Sequence, residues 1–247
     1  MIKVRALNKA FGGLRAVSDL TFDAAPNRIT SIIGPNGAGK STAFNLISGR
    51  LKPDSGTVEL DGRDITGQPP YALARIGVAR SFQITNLFFG LSALENVRLA
   101  CQSRERRNTY LGRLDRPSRP LARAEAILEE FGLRDRADEL TRNLSHGDQR
   151  RIEIAVCMAL DPKLLMLDEP TQGMSPTETV EFDALIRSLA GRVTVLLIEH
   201  DVDLVMSLSD HVIVMHQGDK LFEGGPEQVR ASERVREAYL GVDDAAT

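Results

Sequence analysis

Nine consecutive residues, Gly34-Pro35-Asn36-Gly37-Ala38-Gly39-Lys40-Ser41-Thr42, place glycines, a lysine and a hydroxyl at the spacing of a phosphate-binding loop. The chemistry such a loop performs is capture of a nucleoside triphosphate with Mg²⁺. Its backbone N–H groups converge on the α- and β-phosphates, Lys40 reaches the β- and γ-phosphates, and the Ser41 hydroxyl can ligate the metal. A helix starting here adds its positive N-terminal end. Further along, Leu164-Leu165-Met166-Leu167 runs into two adjacent carboxylates, Asp168 and Glu169. Asp168 can hold Mg²⁺ directly or through water, which leaves Glu169 to polarise an attacking water. A second apolar run, residues 193–198, ends at Glu199-His200-Asp201. His200 at that position can hydrogen-bond a γ-phosphate and orient the water.

These groups need elements to carry them. Ile29-Thr30-Ser31-Ile32-Ile33 is a short β-prone run before the loop, and Ala43 to Ser48 reads as a helix stopped by Gly49. Strand, loop, helix is the context the motif requires. The runs at 164–167 and 193–198 read as strands buried on both faces, as in a parallel sheet. Ligands bind at the carboxyl ends of such strands, so Asp168, Glu169 and His200 are expected beside the loop. Residues 143–149, Asn143-Leu144-Ser145-His146-Gly147-Asp148-Gln149, precede a helical pattern with Ile152, Ala155, Val156, Ala159 and Leu160 on one face. Ser145 fits an N-cap, and from the residues alone it is either only a cap or a phosphate ligand. Alternating strands in the first 30 residues and at 56–62 predict an antiparallel layer. Residues 91–160 read mainly helical, and 212–223 read as a hairpin turning at Gln217-Gly218-Asp219.

The chain of 247 residues is one elaborated α/β unit with 42% hydrophobic residues, enough for a sizeable core. A formal charge of −3 gives no whole-chain case for nucleic-acid binding. No run approaches a membrane span, and the opening residues carry no signal-peptide apolar region, so an intracellular chain is the expectation. Cys157, in an apolar stretch, reads as a buried free thiol.

Taken together the motifs resemble an ATP-binding cassette, the ATPase of an ABC transporter. They stand in that family's order: Phe11, the loop 34–42, Gln83, the signature 144–149, Asp168 with Glu169, then His200. The Leu-Ser-x-Gly-x-Gln pattern separates this family from other phosphate-loop ATPases. The resemblance implies an α/β fold with a RecA-like parallel-sheet core (1–90 and 161–230), an N-terminal antiparallel β layer, an inserted helical subdomain (91–160) and a C-terminal helix and tail (231–247). It implies that Phe11 stacks on adenine and that Gln83 touches Mg²⁺ or water. It also implies that Ser145, His146, Gly147, Asp148 and Gln149 meet the ATP of a second cassette, identical or a sister subunit. Two integral membrane permease subunits and an extracytoplasmic substrate-binding protein are the further implied partners, with ATP and Mg²⁺ as ligand and cofactor.

The similarity is nearest to the ATPase subunits of branched-chain amino acid importers, carried by Phe11-Gly12-Gly13, Ala16-Val17, Ala79-Arg80-Ser81-Phe82-Gln83, Glu95-Asn96-Val97 and Glu237-Ala238-Tyr239-Leu240-Gly241. Importers of urea, short amides and aromatic acids, and the lipopolysaccharide-export ATPase, are built from near relatives. Cassettes acting in DNA repair or on ribosomes stand as the alternative class. Repair members carry long coiled-coil insertions and ribosomal members two cassettes per chain. Departures from the family pattern are His146, Asp148 and Ser175, the last where many members carry Asp. Ser175-Pro176-Thr177-Glu178 instead reads as N-cap, N1 proline and N3 glutamate of a helix bearing Phe182, Leu185, Ile186 and Leu189. Phe88 and Phe89 fit either core packing or a groove for a membrane subunit's helix. Residues 98–123 hold eight Arg against Glu105 and Asp115, a solvated stretch or a contact with anionic headgroups or membrane-subunit loops, with Pro117 and Pro120 expected in a loop.

Overall fold

A computed structural model describes residues 1–81, 87–106 and 118–240. Strands β1 (Ile2–Phe11), β2 (Leu14–Ala24), β4 (Ser55–Leu60) and β5 (Arg63–Asp64) form an antiparallel sheet in the order β2-β1-β4-β5. The second sheet holds β3 (Ile29–Ile33), β6 (Val78–Arg80), β7 (Leu164–Asp168), β8 (Thr194–Ile198), β9 (His211–His216) and β10 (Asp219–Gly224). Its order is β10-β9-β3-β8-β7-β6, parallel except that the edge strand β10 runs back against β9. The hairpin expected at 212–223 is this β9–β10 pair.

The period-two geometry of a strand sorts side chains onto two covered faces. Leu164 and Met166 of β7, with Leu196 and Ile198 of β8, face a core shared with Ile2, Val4, Leu7 and Phe22 of the antiparallel layer. Leu165 and Leu167, with Val195 and Leu197, face the opposite core. Both faces being buried, the strands read as unbroken apolar runs. Helix α1 (Lys40–Ile47) lies between the two sheets, contributing Ala43, Phe44, Leu46 and Ile47 to the first core. Beyond it the chain turns at Gly49, where φ is +72° and a Cβ would stand 2.0 Å from Gln68 O. Helix α2 (Pro70–Arg75) then leads into β6.

The opposite face is covered by α3 (Ala93–Arg106), α4 (Ser118–Glu130), α5 (His146–Ala159) and α6 (Pro176–Ala190), which share the second core. Pro120 falls in the first turn of α4 rather than in the expected loop. Its missing N–H has no intrahelical partner there in any case. Burial on α5 also extends beyond the expected face: Ile154 is buried, and so is an ion pair between Arg150 and Glu153 at 2.8 Å. Helix α7 (Val202–Leu208) follows β8, and α8 (Pro226–Ala231) and α9 (Glu233–Leu240) close the described chain.

Candidate active site

The register of the parallel sheet brings the strand ends to one edge. Ile32 of β3 and Asp168 of β7 both pair with Ile198 of β8, and Arg80 of β6 pairs with Met166. One or two residues further on, the chain delivers Gly34, Glu169, Glu199 and His200 along the same line.

The loop 34–39 is shaped by close approaches within the chain. Gly34 has φ +152° and a Cβ there would sit 2.1 Å from Met215 O; at Gly39, with φ +100°, it would sit 2.3 Å from Ala16 O. Backbone bonds from Ala38 N to Pro35 O and from Gly218 N to Ala38 O hold the turn. Gly37, Asn36 and Ser41 lie on its exposed side. Helix α1 starts after Gly39 with no side-chain cap. Its first N–H groups lack intrahelical acceptors, so the turn presents bare donors and the positive end of the helix. Lys40 is buried with Nζ donating to Gly34 O at 2.5 Å and Pro35 O at 3.0 Å. Burial lowers its ammonium pKa, and the Glu169 carboxylate opposes that shift. An uncapped helix N-terminus, a buried ammonium and an exposed serine hydroxyl near a strand-end carboxylate fit a triphosphate with a hard cation.

Asp168 shares the α1 face of the sheet with Arg80, because 164, 166 and 168 alternate to that side as 78 and 80 do. Arg80 Nη2 donates to Asp168 Oδ2 at 2.8 Å, while Nη1 donates to Asn45 Oδ1 at 2.8 Å and Ser48 Oγ at 2.5 Å on α1. The guanidinium also stands 4.9 Å from the Phe44 ring centroid. Burial lowers the Arg80 pKa, and Asp168 opposes it. The Asp168 carboxylate is thus tied by one arginine to the helix that follows the loop 34–39.

Glu169 leaves β7 with φ +46° and its N–H bonded to Ile198 O at 2.9 Å. His200 is exposed at the end of β8. Phe11, at the end of β1, is 48% exposed, which removes the reading of it as a core residue and leaves its ring open to a base. Lys9 Nζ lies 5.7 Å from that ring's centroid.

The signature helix α5 is organised differently. Ser145 caps it, accepting from Asp148 N at 3.1 Å and donating to Asp148 Oδ2 at 3.0 Å. Arg136 pairs with that same carboxylate. Gln149 Nε2 holds Thr141 O and Leu144 O at 3.1 Å each. Gly147 is where α6 comes close, since a Cβ would meet Glu178 Oε1 at 2.7 Å. Ser175 and Glu178 form a capping box on α6, and Ser175's bonds draw the Glu178 pKa down. His146 Nε2 lies 3.2 Å from Gln172 O, so the residue that departs from the family pattern touches the segment after Glu169.

The comparisons agree with this geometry. A family model described as ABC transporter matches residues 17–172, and one described as Branched-chain amino acid ATP-binding cassette transporter matches 220–245. The chain is 43% identical, over 98% of both chains, to the high-affinity branched-chain amino acid transport ATP-binding protein LivG of Escherichia coli K12. It is equally similar to the corresponding protein BraF of Pseudomonas aeruginosa, at 43% over 98% of each. The chain belongs to the ABC transporter family. Among solved structures, an ATP-binding cassette of an ABC transporter in its ADP conformation superposes with a TM-score of 0.86 at 29% identity, covering 98% of each chain. A dimeric cassette in a post-hydrolysis state, bound to ADP and Pi, gives 0.77 at 26% identity, covering 92% of this chain and 99% of that one. The α/β cassette fold and ATPase class expected from the motifs are therefore those of this chain.

Of the residues expected in the cassette's site, Gln83 lies outside the described residues, as do Phe82 and residues 107–117 of the Arg-rich stretch. Phe88 and Phe89 are exposed, which sets aside core packing for them. Sequence reasoning missed Arg80, Glu199 and Thr171. Strand parity was the available signal for Arg80: an arginine closing a strand with the parity of Asp168 must face the same side once the register is known. Among the described residues no helix is long and apolar enough to cross a membrane.

Proposed function

We propose that this ABC ATPase powers uptake of branched-chain amino acids, or of a closely related small amide or acid. It would act from the cytoplasmic face of the membrane, with two permease subunits, a second cassette and a substrate-binding protein. The substrate class is supported by the match of residues 220–245 and by the LivG and BraF relatives. The reaction rests chiefly on one observation: the bare N-terminus of α1 stands on the same sheet edge as the strand-end carboxylates and His200.

In this reading residues 34–42 enclose the triphosphate, with Lys40 turning from its own carbonyls to the β- and γ-phosphates and Phe11 stacking on adenine. Mg²⁺, held by Ser41, Asp168 and Gln83, would neutralise charge between the β- and γ-phosphates. Arg80 occupies one oxygen of Asp168 and leaves the other to face the cation. Glu169 accepts a proton from, or aligns, the attacking water, and His200 holds the γ-phosphate. Ser145 and Gly147 of α5 complete the site of a partner cassette, as the dimeric ADP-bound relative supports. Phe88 and Phe89 present an exposed apolar surface to a membrane subunit's helix.

The experiment that tests the reaction is Glu169→Gln. ATP binding is retained while turnover falls by about 10²-fold or more, the scale of a lost general base or electrostatic contact. Near-wild-type hydrolysis would overturn the role of Glu169. For the transport role, affinity purification from detergent-solubilised membranes should recover hydrophobic integral subunits. Loss of the chain should abolish uptake of labelled leucine, isoleucine or valine, and recovery of ribosomes or DNA in place of membrane subunits would overturn the assignment.

A further inference from the structure

Glu199 is fully enclosed, at 0% exposure, yet it is a carboxylate at the end of a central strand. Its parity along β8 follows Val195 and Leu197, so it faces the helical side of the sheet rather than the α1 side. A charge buried there needs strong partners. It has them on both oxygens. Oε1 accepts from Thr171 Oγ1 at 2.6 Å and from Thr171 N at 3.1 Å. Oε2 accepts from His200 N at 3.2 Å and lies 3.5 Å from His200 Nδ1.

The two sides of that contact are the segments that carry the proposed base, Glu169, and the proposed γ-phosphate ligand, His200. Thr171 is two residues after Glu169, in a tight turn where Gln172 N bonds Glu169 O at 3.3 Å and Met174 N bonds Thr171 O at 3.0 Å. Glu169 N is itself fixed to Ile198 O. Gln172 O meets His146 at the start of α5. A single buried carboxylate therefore joins His200 to the turn carrying the proposed base, and that turn in turn reaches α5.

We propose that Glu199 is a positioning residue for hydrolysis: it fixes the backbone and ring of His200 relative to the Glu169–Thr171 turn. It touches neither ATP nor the attacking water. This proposal rests on the reading of His200 as the γ-phosphate ligand. Both Thr171 donors and the His200 backbone N–H bond one carboxylate, and His200 Nδ1 lies 3.5 Å from it. The site is therefore preorganised before nucleotide arrives, which is how positioning contributes to rate.

The test is a double-mutant cycle in the assembled transporter, with Glu199→Gln, His200→Ala and the pair. Glu199→Gln keeps the shape and an oxygen for Thr171 but removes the charge facing His200. Its kcat for ATP should fall about tenfold, the lower side of a lost general acid-base or orienting contact, with KM and melting temperature nearly unchanged. His200→Ala falls further, and the double variant falls no lower than His200→Ala, because residues acting as a unit are not additive. Thr171→Val, which removes only the Oγ1 donor, should lower kcat in the same His200-dependent way, and it carries the test where Glu199→Gln does not fold. Losses that multiply in the double variant, or a Glu199→Gln that melts early and raises KM with kcat unchanged, would overturn the proposal. Wild-type kcat in Glu199→Gln beside an impaired His200→Ala overturns it alone. Wild-type kcat in His200→Ala overturns the role of His200 and the proposal with it.

Discussion

Helices α1 and α5 both begin at sequences suited to phosphate, yet their N-termini are built in opposite ways. α1 opens after Gly39 with no side-chain cap, and its lysine rests on the carbonyls of its own loop. α5 opens at Ser145 with its cap in place, and Ser145's hydroxyl is already held by Asp148, which Arg136 holds in turn. One end is left for a ligand to satisfy. The other is satisfied before any ligand comes, so a phosphate must displace Asp148 to gain Ser145. The difference assigns an order within the proposed cycle. ATP binds first to the α1 of one chain, and α5 of the second chain engages only when closure supplies enough contact to break its internal bonds. α6 and α7 side with α5, being capped by Ser175 and Asp201.

The largest expected effect falls on the bare end. Lys40→Ala removes a charge-assisted hydrogen bond to phosphate of about 1.5–3 kcal/mol, which corresponds to about 10- to 150-fold weaker ATP binding. Calorimetric titration of the isolated chain with ATP measures this directly. Unchanged affinity would show that the ammonium stays on Gly34 O and Pro35 O when nucleotide binds, and the contrast with α5 would be lost.

Ser145→Ala addresses the capped end. In the isolated chain, affinity for ATP stays within about twofold, while stability drops by about 1 kcal/mol through loss of the N-cap. In the assembled complex hydrolysis falls by about tenfold or more, the worth of one hydrogen bond to a charged group. Calorimetry, thermal melting and turnover separate the three readouts. If the isolated chain lost ATP binding, Ser145 would belong to its own chain's nucleotide, and the binding order of α1 before α5 would fail.

How far these features were legible depends on the range of the interaction. The phosphate loop, the strands at 164–168 and 194–198, and the caps at Ser145 and Ser175 all follow from neighbours within a few positions. They were readable from spacing, apolar runs and cap chemistry. Arg80 with Asp168 and Glu199 with Thr171 are separated by 88 and 28 residues, and their meeting depends on register and strand order. Gly34 and Gly39 show the same limit. Their type was legible as a phosphate-loop requirement, but the structure adds a second reason, the approach of Met215 O and Ala16 O from other strands. Pro120 misled because its residue type argues for a loop, although the first turn of a helix accepts it.

The smallest effect expected comes from the capped side's own cost. Asp201 caps α7 as an acceptor, Glu199 lies buried nearby, and Asp183 on α6 shares their neighbourhood. Asp183 is half-buried, with Oδ1 enclosed and without a hydrogen-bond partner among the described residues. Desolvation, first, and then the Glu199 and Asp201 charges push its pKa from 3.8 to about 6, while Arg187 pulls the other way. An acid whose pKa is higher in the folded state binds its proton more tightly there. Its penalty is absent below about pH 4, grows as pH rises through about 6, and is full at neutrality. The whole shift would correspond to about 3 kcal/mol, but solvent screening of a group this exposed reduces it to about 1 kcal/mol. Asp183→Asn should therefore raise the melting temperature by about 2–4 °C at pH 7.5 and by nothing measurable at pH 4. An equal gain at both pH values would mean that the introduced amide gains packing or a new hydrogen bond, and that the carboxylates around α7 do not repel. A gain confined to neutral pH would show that the Asp183 carboxylate carries a standing cost of burial, to which the Glu199 and Asp201 charges add, beside the capped start of α7.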